Sequence, residues 1–180
     1  MDSAAFLPPP PPPSSASAIG RPAAATGAAR WRVGSAAASA FEKSGVSPKK
    51  LNALLVKAGR PPRDEAKWAR AIEGSYLLVH AKLLATGDLV AFARATSDQA
   101  LNGTVWDVVV DPSLPDVPLM RRNVVKYLLN ELRRSVPGCS VTLFAQPDDV
   151  DFYTGLEFVA DAEDVHGMAL IEDPDVGFHS

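Results

Sequence analysis

Asp107 stands in the middle of an apolar run, Thr104-Val105-Trp106-Asp107-Val108-Val109-Val110, with Trp106 directly beside it. A carboxylate there is expensive to bury unless it is paired or used, which makes it the first candidate for chemistry. The second candidate is a place rather than a residue. The run stops at Asp111-Pro112 and, after a short loop, a long amphipathic stretch begins that carries Arg121 and Arg122 near its start. A strand feeding a helix presents backbone N–H groups at the helix start, a natural anion site, and guanidinium groups match phosphate geometry. Plain alternatives stand beside both. Asp107 could satisfy a neighbouring Arg such as Arg94, Trp106 could be simple core, and Arg121 and Arg122 are by default a solvated helix face. Metal chemistry finds little support: His80, His166 and His179 lie far apart, and no zinc site is expected.

The elements that must position these residues are legible from periodicity. The run at 104–110 is nearly continuously apolar and β-branched, as expected of a strand covered on both faces. In the helix that follows, Met120, Val124, Leu128 and Leu132 recur every four residues, and Val125, Leu129 and Val136 widen the stripe. Earlier, Ser47-Pro48 opens a helix with an inner stripe of Leu51, Leu54, Leu55 and Ala58, with Ser47 as the capping hydroxyl. Gly59 closes it, and Asp64 to Gly74 forms a second helix with Trp68, Ala71 and Ile72 inward. Two adjacent helices there could form one wall of a cleft. Tyr76–Leu84 and Leu89–Ala95 form an antiparallel hairpin around Thr86-Gly87-Asp88. After the long helix, Ser140–Ala145 is a strand and Val150–Leu156 a short helix; Phe158-Val159 with Met168–Ile171 reads as a closing hairpin. The fold class is α+β, a central mixed sheet flanked by helices, with 104–145 forming a parallel βαβ unit.

Composition sets the frame. The chain has 180 residues, about one domain with an extension, and 47% apolar residues suffice for an ordinary core. A net charge of −3 and a pI of about 5.6 give no basic field for nucleic acid. No run reaches the roughly 18 apolar residues of a membrane span. The single Cys139 excludes an intrachain disulfide and suits a reducing compartment. Residues 1–38 read as a disordered Pro/Ala/Ser-rich extension, the folded domain as 39–180. Pro8–Pro13 is a homopolymer, and Asp2 is the sole acid before Glu42, whereas Arg21, Arg30 and Arg32 supply positive charge. That composition fits an organelle transit peptide, read here as plastid-directed. The competing reading is a polyproline II ligand, which would make the chain an adaptor.

The element order, with Phe92-Ala93-Arg94-Ala95-Thr96-Ser97-Asp98, Trp106-Asp107-Val108, Thr142-Leu143-Phe144-Ala145 and Phe152-Tyr153, resembles the GNAT superfamily of acetyl-CoA-dependent N-acetyltransferases. The likeness covers roughly residues 45–172 and is strongest to the plant plastid branch, which includes serotonin and protein N-acetyltransferases. The resemblance implies a GNAT fold, acetyl-CoA as co-substrate and no metal. The acceptor would be an arylalkylamine such as serotonin, or a protein N-terminus or lysine. It implies that the pantetheine arm lies along Val108, Val109 and Val110, with a backbone N–H near Val108 facing the thioester oxygen. Arg121, Arg122 and Asn123 would attend the phosphates. A lysine amine has a pKa of about 10.4 and must lose a proton before attack; the Trp106-Asp107 pair would supply the base, and Tyr153 the acid for the departing thiolate. No nucleic-acid or membrane partner is expected, and a homodimer is left open.

Departures from the family pattern are concentrated in one loop. The family carries a glycine-rich phosphate loop before the long helix, whose glycines let the backbone approach a pyrophosphate. Here Leu114-Pro115-Asp116-Val117-Pro118-Leu119-Met120 has no glycine, and its two prolines remove N–H donors. Asp116 is a candidate N-cap whose carboxylate would repel a phosphate. Gln146 and Ser140 replace an acid and an amide, Asp148 and Asp149 are candidate substitutes for the acid, and Glu157 replaces a glycine. The loop favours a second function class, a weak or inactive GNAT-fold protein that binds a partner.

Overall fold

The computed structural model describes residues 29–33, 37–42, 45–164 and 167–168. Among the described residues, six strands form one sheet in sequential order, β1 (Ala29–Val33), β2 (Ala37–Glu42), β3 (Leu77–Leu83), β4 (Leu89–Ser97), β5 (Asn102–Val110) and β6 (Ser140–Leu143). All neighbours are antiparallel except β5 and β6, which are parallel because α3 (Val117–Ser135) crosses between them. The mixed sheet and the βαβ unit are those expected from the sequence.

Helix packing explains why the central strands are apolar throughout. One face of the sheet meets α3, where Leu77, Val79, Ala93, Val105, Val108 and Val110 pack against Met120, Val124, Leu128 and Leu132. The opposite face meets α1 (Pro48–Lys57) and α2 (Glu65–Glu73), where Leu78, Phe92 and Val109 pack with Leu51, Leu54, Leu55 and Trp68. Strands covered on both faces lose the polar/apolar alternation of a half-exposed sheet. Gly103 marks a close approach, since a Cβ there would stand 2.8 Å from Leu132 Cδ2.

Alternation breaks at one point of β5, and that point is Asp107. Phe92 pairs with Val109 and Arg94 with Trp106, so β5 carries one residue more than β4 across this step. Val105 and Val108, three apart, consequently both face α3. Asp107 occupies the bulge at φ +53°. Aspartate tolerates that left-handed region better than a β-branched residue would, and bulges characteristically re-aim a side chain.

Several local expectations differ from the structure. Ser47 is at the N-cap of α1 but makes no side-chain cap, leaving Pro48 to start the helix; α2 is capped, by Asp64 accepting from Lys67 N at 2.7 Å. Strands β1 and β2 extend the sheet into residues 29–42, so the boundary drawn at residue 38 does not coincide with a sheet edge. Ala29–Val33 alternates arginine with apolar residues, a strand signal that the surrounding alanine- and proline-rich composition outweighs in a sequence reading. Residues 1–28, which hold the polyproline run, lie outside the described residues. The closing hairpin finds no strand at Phe158-Val159; Glu157 at φ +72° turns the chain back, and Phe158 N caps Tyr153 O at 3.1 Å. Residues 169–171, most of its second arm Met168–Ile171, lie outside the described residues.

Candidate active site

The pairing of β5 with β6 runs from Asn102/Ser140 to Val105/Leu143 and stops there. Beyond that point β5 continues to Val110, while the chain leaves β6 at Phe144 and turns into a short 3-10 turn (Pro147–Asp149) and α4 (Val150–Thr154). Between the parting chains lies a small cleft, open to solvent. Val105, Trp106, Asp107 and Val108 form its β5 side, and Leu143 and Phe144 its β6 side. Tyr153, Asp149, Arg121 and Arg60 complete the rim.

Trp106, Asp107, Val108, Arg121 and Tyr153, all singled out from sequence, therefore meet in one place. Val109 and Val110 do not line it; their side chains enter the cores on the two sheet faces. Arg122 is exposed and donates to Gly155 O at 3.3 Å, and half-buried Asn123 also lies outside the cleft lining.

Asp107 is 3% exposed, and both of its oxygens accept from guanidinium groups: Oδ1 from Arg63 at 2.8 Å, Oδ2 from Arg94 Nε at 2.5 Å. The structure thus places it in the ion-paired arrangement that was the alternative to a base. Arg94 also stands over the Trp106 ring at 5.9 Å, and Arg63 over Trp68 at 5.0 Å. Trp106 donates its indole N–H to Thr96 Oγ1 at 2.9 Å and leans on Phe144, with ring centroids 5.5 Å apart. The indole is thereby fixed at the cleft wall and is not buried in the core.

Tyr153 is held by edge contacts with Phe152 and Phe158 at 5.0 and 5.9 Å. Burial pushes its phenol pKa up, and the charge and hydrogen bond of Arg121 oppose that rise. Arg121 does not lie on a solvated face. Its two terminal nitrogens grip Asp149 at 2.7 and 2.6 Å, and its guanidinium stacks over Phe152 at 4.2 Å. The hydrogen bond from Arg121 holds the Asp149 carboxyl below the usual carboxylate range, although partial burial pushes the other way.

At the start of α3 the expected departure from a phosphate loop is realised. Asp116 accepts from Leu119 N at 2.9 Å, so its own carboxylate occupies the helix start. Asp111, 2% exposed, takes Lys57 Nζ at 2.9 Å and Ser113 Oγ at 2.6 Å. Among the described residues no group of three or more His, Cys, Asp or Glu could hold a metal ion, and no helix is long and apolar enough to cross a membrane.

Sequence reasoning missed Arg60 and Arg63. Both sit in Gly59-Arg60-Pro61-Pro62-Arg63, which reads as a helix stop; the signal available was two arginines bracketing a rigid diproline that leads toward a cleft wall.

No family model matches the chain. Among curated proteins it is 37% identical over 128 residues to GCN5-related N-acetyltransferase 1, chloroplastic, of Arabidopsis thaliana, covering 71% of this chain and 64% of that one. It is 38% identical over 120 residues to an uncharacterized N-acetyltransferase, ycf52, of Pyropia yezoensis, covering 66% of this chain and 68% of the relative. The chain belongs to the GCN5-related N-acetyltransferase (GNAT) family. Another GNAT relative, the chloroplastic serotonin N-acetyltransferase 2 of rice, is 39% identical over 123 residues, 67% of this chain and 60% of that protein. The chain spans less than two thirds of the length of the Arabidopsis and rice relatives. The GNAT fold is also that of a solved probable acetyltransferase from Staphylococcus aureus, with a TM-score of 0.64 at 16% identity over 74% of this chain and 98% of that one.

Proposed function

We propose that this chain is an acetyl-CoA-dependent N-acetyltransferase acting on a primary amine, with the cleft between β5 and β6 as its active site. The observation that carries the reading is the parting of the two parallel strands beyond Val105/Leu143, with Tyr153 at the far wall. A thioester arm laid in that opening rests against Trp106 and Val108, and its carbonyl can meet β5 backbone. The amine nitrogen, in its neutral form, attacks the carbonyl carbon; the C–N bond forms and the C–S bond breaks. Tyr153 then gives its phenolic proton to the leaving sulfur. Asp107, fully engaged by Arg63 and Arg94, acts in this reading as a positioning residue that fixes the bulge and, through Arg94, the indole.

A second reading has its own observation. The connector into α3 lacks glycine, and Asp116 caps the helix where a diphosphate would need N–H groups. That arrangement favours a GNAT-fold protein that binds a partner without turnover. Isothermal titration of the full chain with acetyl-CoA separates the two: micromolar binding is expected for the enzyme, and no heat at high micromolar donor would leave only the binding module. A panel of serotonin, peptides with free N-termini and lysine peptides, read by release of free thiol, then assigns the acceptor. The chloroplastic names of the Arabidopsis and rice relatives support a plastid location, as does the acid-poor, Arg-bearing N-terminus. A fluorescent fusion of residues 1–40 that remains in the cytosol would overturn that location.

A further inference from the structure

We infer that Arg121 is a positioning residue for Tyr153 in the leaving-group step and does not serve as a ligand for the donor's phosphates. The inference deepens the acetyl-transfer reading and rests on its assignment of Tyr153 as the proton donor.

The geometry leaves the guanidinium little freedom for another role. Arg121 leaves α3 one turn in and points to the cleft, where the carboxylate of Asp149 grips it through both terminal nitrogens at 2.7 and 2.6 Å. Such bidentate pairing fixes the plane of the group as well as its position. That plane lies over Phe152 at 4.2 Å and 5.5 Å from the Tyr153 ring centroid. Three elements, α3, the 3-10 turn and α4, are thereby locked around one phenol. Reaching a phosphate at the helix start would require breaking both Asp149 contacts and the stack.

A fixed cation at this phenol has a chemical use. When the C–S bond breaks, its electron pair goes to sulfur and the phenolic proton follows, leaving a phenolate. Arg121 stabilises that phenolate until it is reprotonated, through water, by the proton that the attacking nitrogen releases. The other charged groups around Tyr153 are Asp149 on the 3-10 turn, which opposes Arg121, Arg60 from the α1–α2 connector, which reinforces it, and Asp107 across the cleft, engaged by Arg63 and Arg94. Among the described residues, Arg121 is the one of these groups that also anchors α4 by stacking on it.

The test needs no knowledge of the acceptor. Phenolate formation in the full chain is followed by near-ultraviolet absorbance for wild type, Tyr153→Phe, Arg121→Lys and Arg121→Met. Subtracting Tyr153→Phe isolates the Tyr153 titration from those of Tyr76 and Tyr127. Arg121→Met is expected to move that titration to higher pH, and Arg121→Lys to restore most of the shift. With an acceptor identified, Arg121→Met should lower kcat by about tenfold to a hundredfold while the KM for donor changes little. The alkaline limb of kcat should move in the same direction as the absorbance titration. If Arg121→Met fails to fold, Arg121→Lys carries the test through its smaller shift. A Tyr153 titration unmoved by either substitution overturns the inference, as does a rise in donor KM with kcat unchanged. A shift in a chain that transfers no acetyl group sinks the acetyl-transfer reading itself and supports the pairing.

Discussion

Two guanidinium–carboxylate arrangements flank the cleft, and they are built differently. On the β5 side, Asp107 is almost wholly buried, and each of its oxygens takes a single contact from a different arginine, one from β4 and one from the α1–α2 connector. On the α4 side, Asp149 and Arg121 form one bidentate pair, each about a quarter exposed. The first ties two hairpin strands to the α1–α2 connector and holds a strained φ; the second joins α3 to the 3-10 turn beside a titratable phenol. Buried charges surrounded by opposite charges bear on folding first, whereas a partly exposed pair beside a titrating group bears on turnover first.

The comparison breaks most readily at Asp107. Asp107→Ala leaves two guanidinium groups facing each other beneath the cleft, and should cost about 3–5 kcal/mol in denaturant unfolding. Asp107→Asn keeps the shape but removes the charge and should still cost stability before it alters chemistry. If Asp107→Asn unfolds like the wild-type chain yet loses turnover, Asp107 is a base after all and the contrast drawn above is wrong.

Tyr153→Phe is expected to do the opposite. The ring keeps its edge contacts with Phe152 and Phe158, so the melting temperature should hardly move, while turnover falls by about a hundredfold. Comparable losses of stability and activity would place Tyr153 among packing residues.

These expectations also show how far the sequence could be read. The strand at 102–110 and the stripe on α3 were legible because burial on a regular element leaves a period, and Met120, Val124, Leu128 and Leu132 are all fully buried. Arg94 as a partner for Asp107 was legible because β4 and β5 are neighbours in a hairpin. Arg63 was not, since it reaches Asp107 from a connector 44 residues away that carries no periodic signal. Arg121 misled for another reason: on an isolated helix its position faces outward, and only the docking of α4 turns that face into an interior. The capping role of Asp116 was readable, because caps are local.

Asp149→Asn sharpens the second half of the comparison. It removes one charge and loosens Arg121, and should cost about 1–2 kcal/mol given the pair's partial exposure. The sign with pH follows from the direction of the shift. The Asp149 carboxyl is held low in the folded chain by the Arg121 hydrogen bond, so its contribution is complete above the ordinary carboxylate range and is lost as pH falls through the folded value. Wild type and Asp149→Asn should therefore converge in stability on acidification, which parallel melts across pH would show.

A third pair tests whether burial of the carboxylate alone decides the cost. Asp111 is as buried as Asp107, at 2%, but its partner Lys57 is 52% exposed. Burial pushes the Asp111 carboxyl up, and hydrogen bonds from Ser113 and Lys57 together hold it below the usual range. Removing the lysine leaves the Ser113 N–H and hydroxyl in place, at 2.9 and 2.6 Å on Oδ1, so the carboxylate is not stranded. Lys57→Met should accordingly cost only about 0.5 kcal/mol. A loss approaching that of Asp107→Ala would mean that burial of the carboxylate decides the cost, whatever local donors remain. A small loss would locate the sensitivity of the Asp107 arrangement in the two guanidinium groups left facing each other when the charge between them is removed.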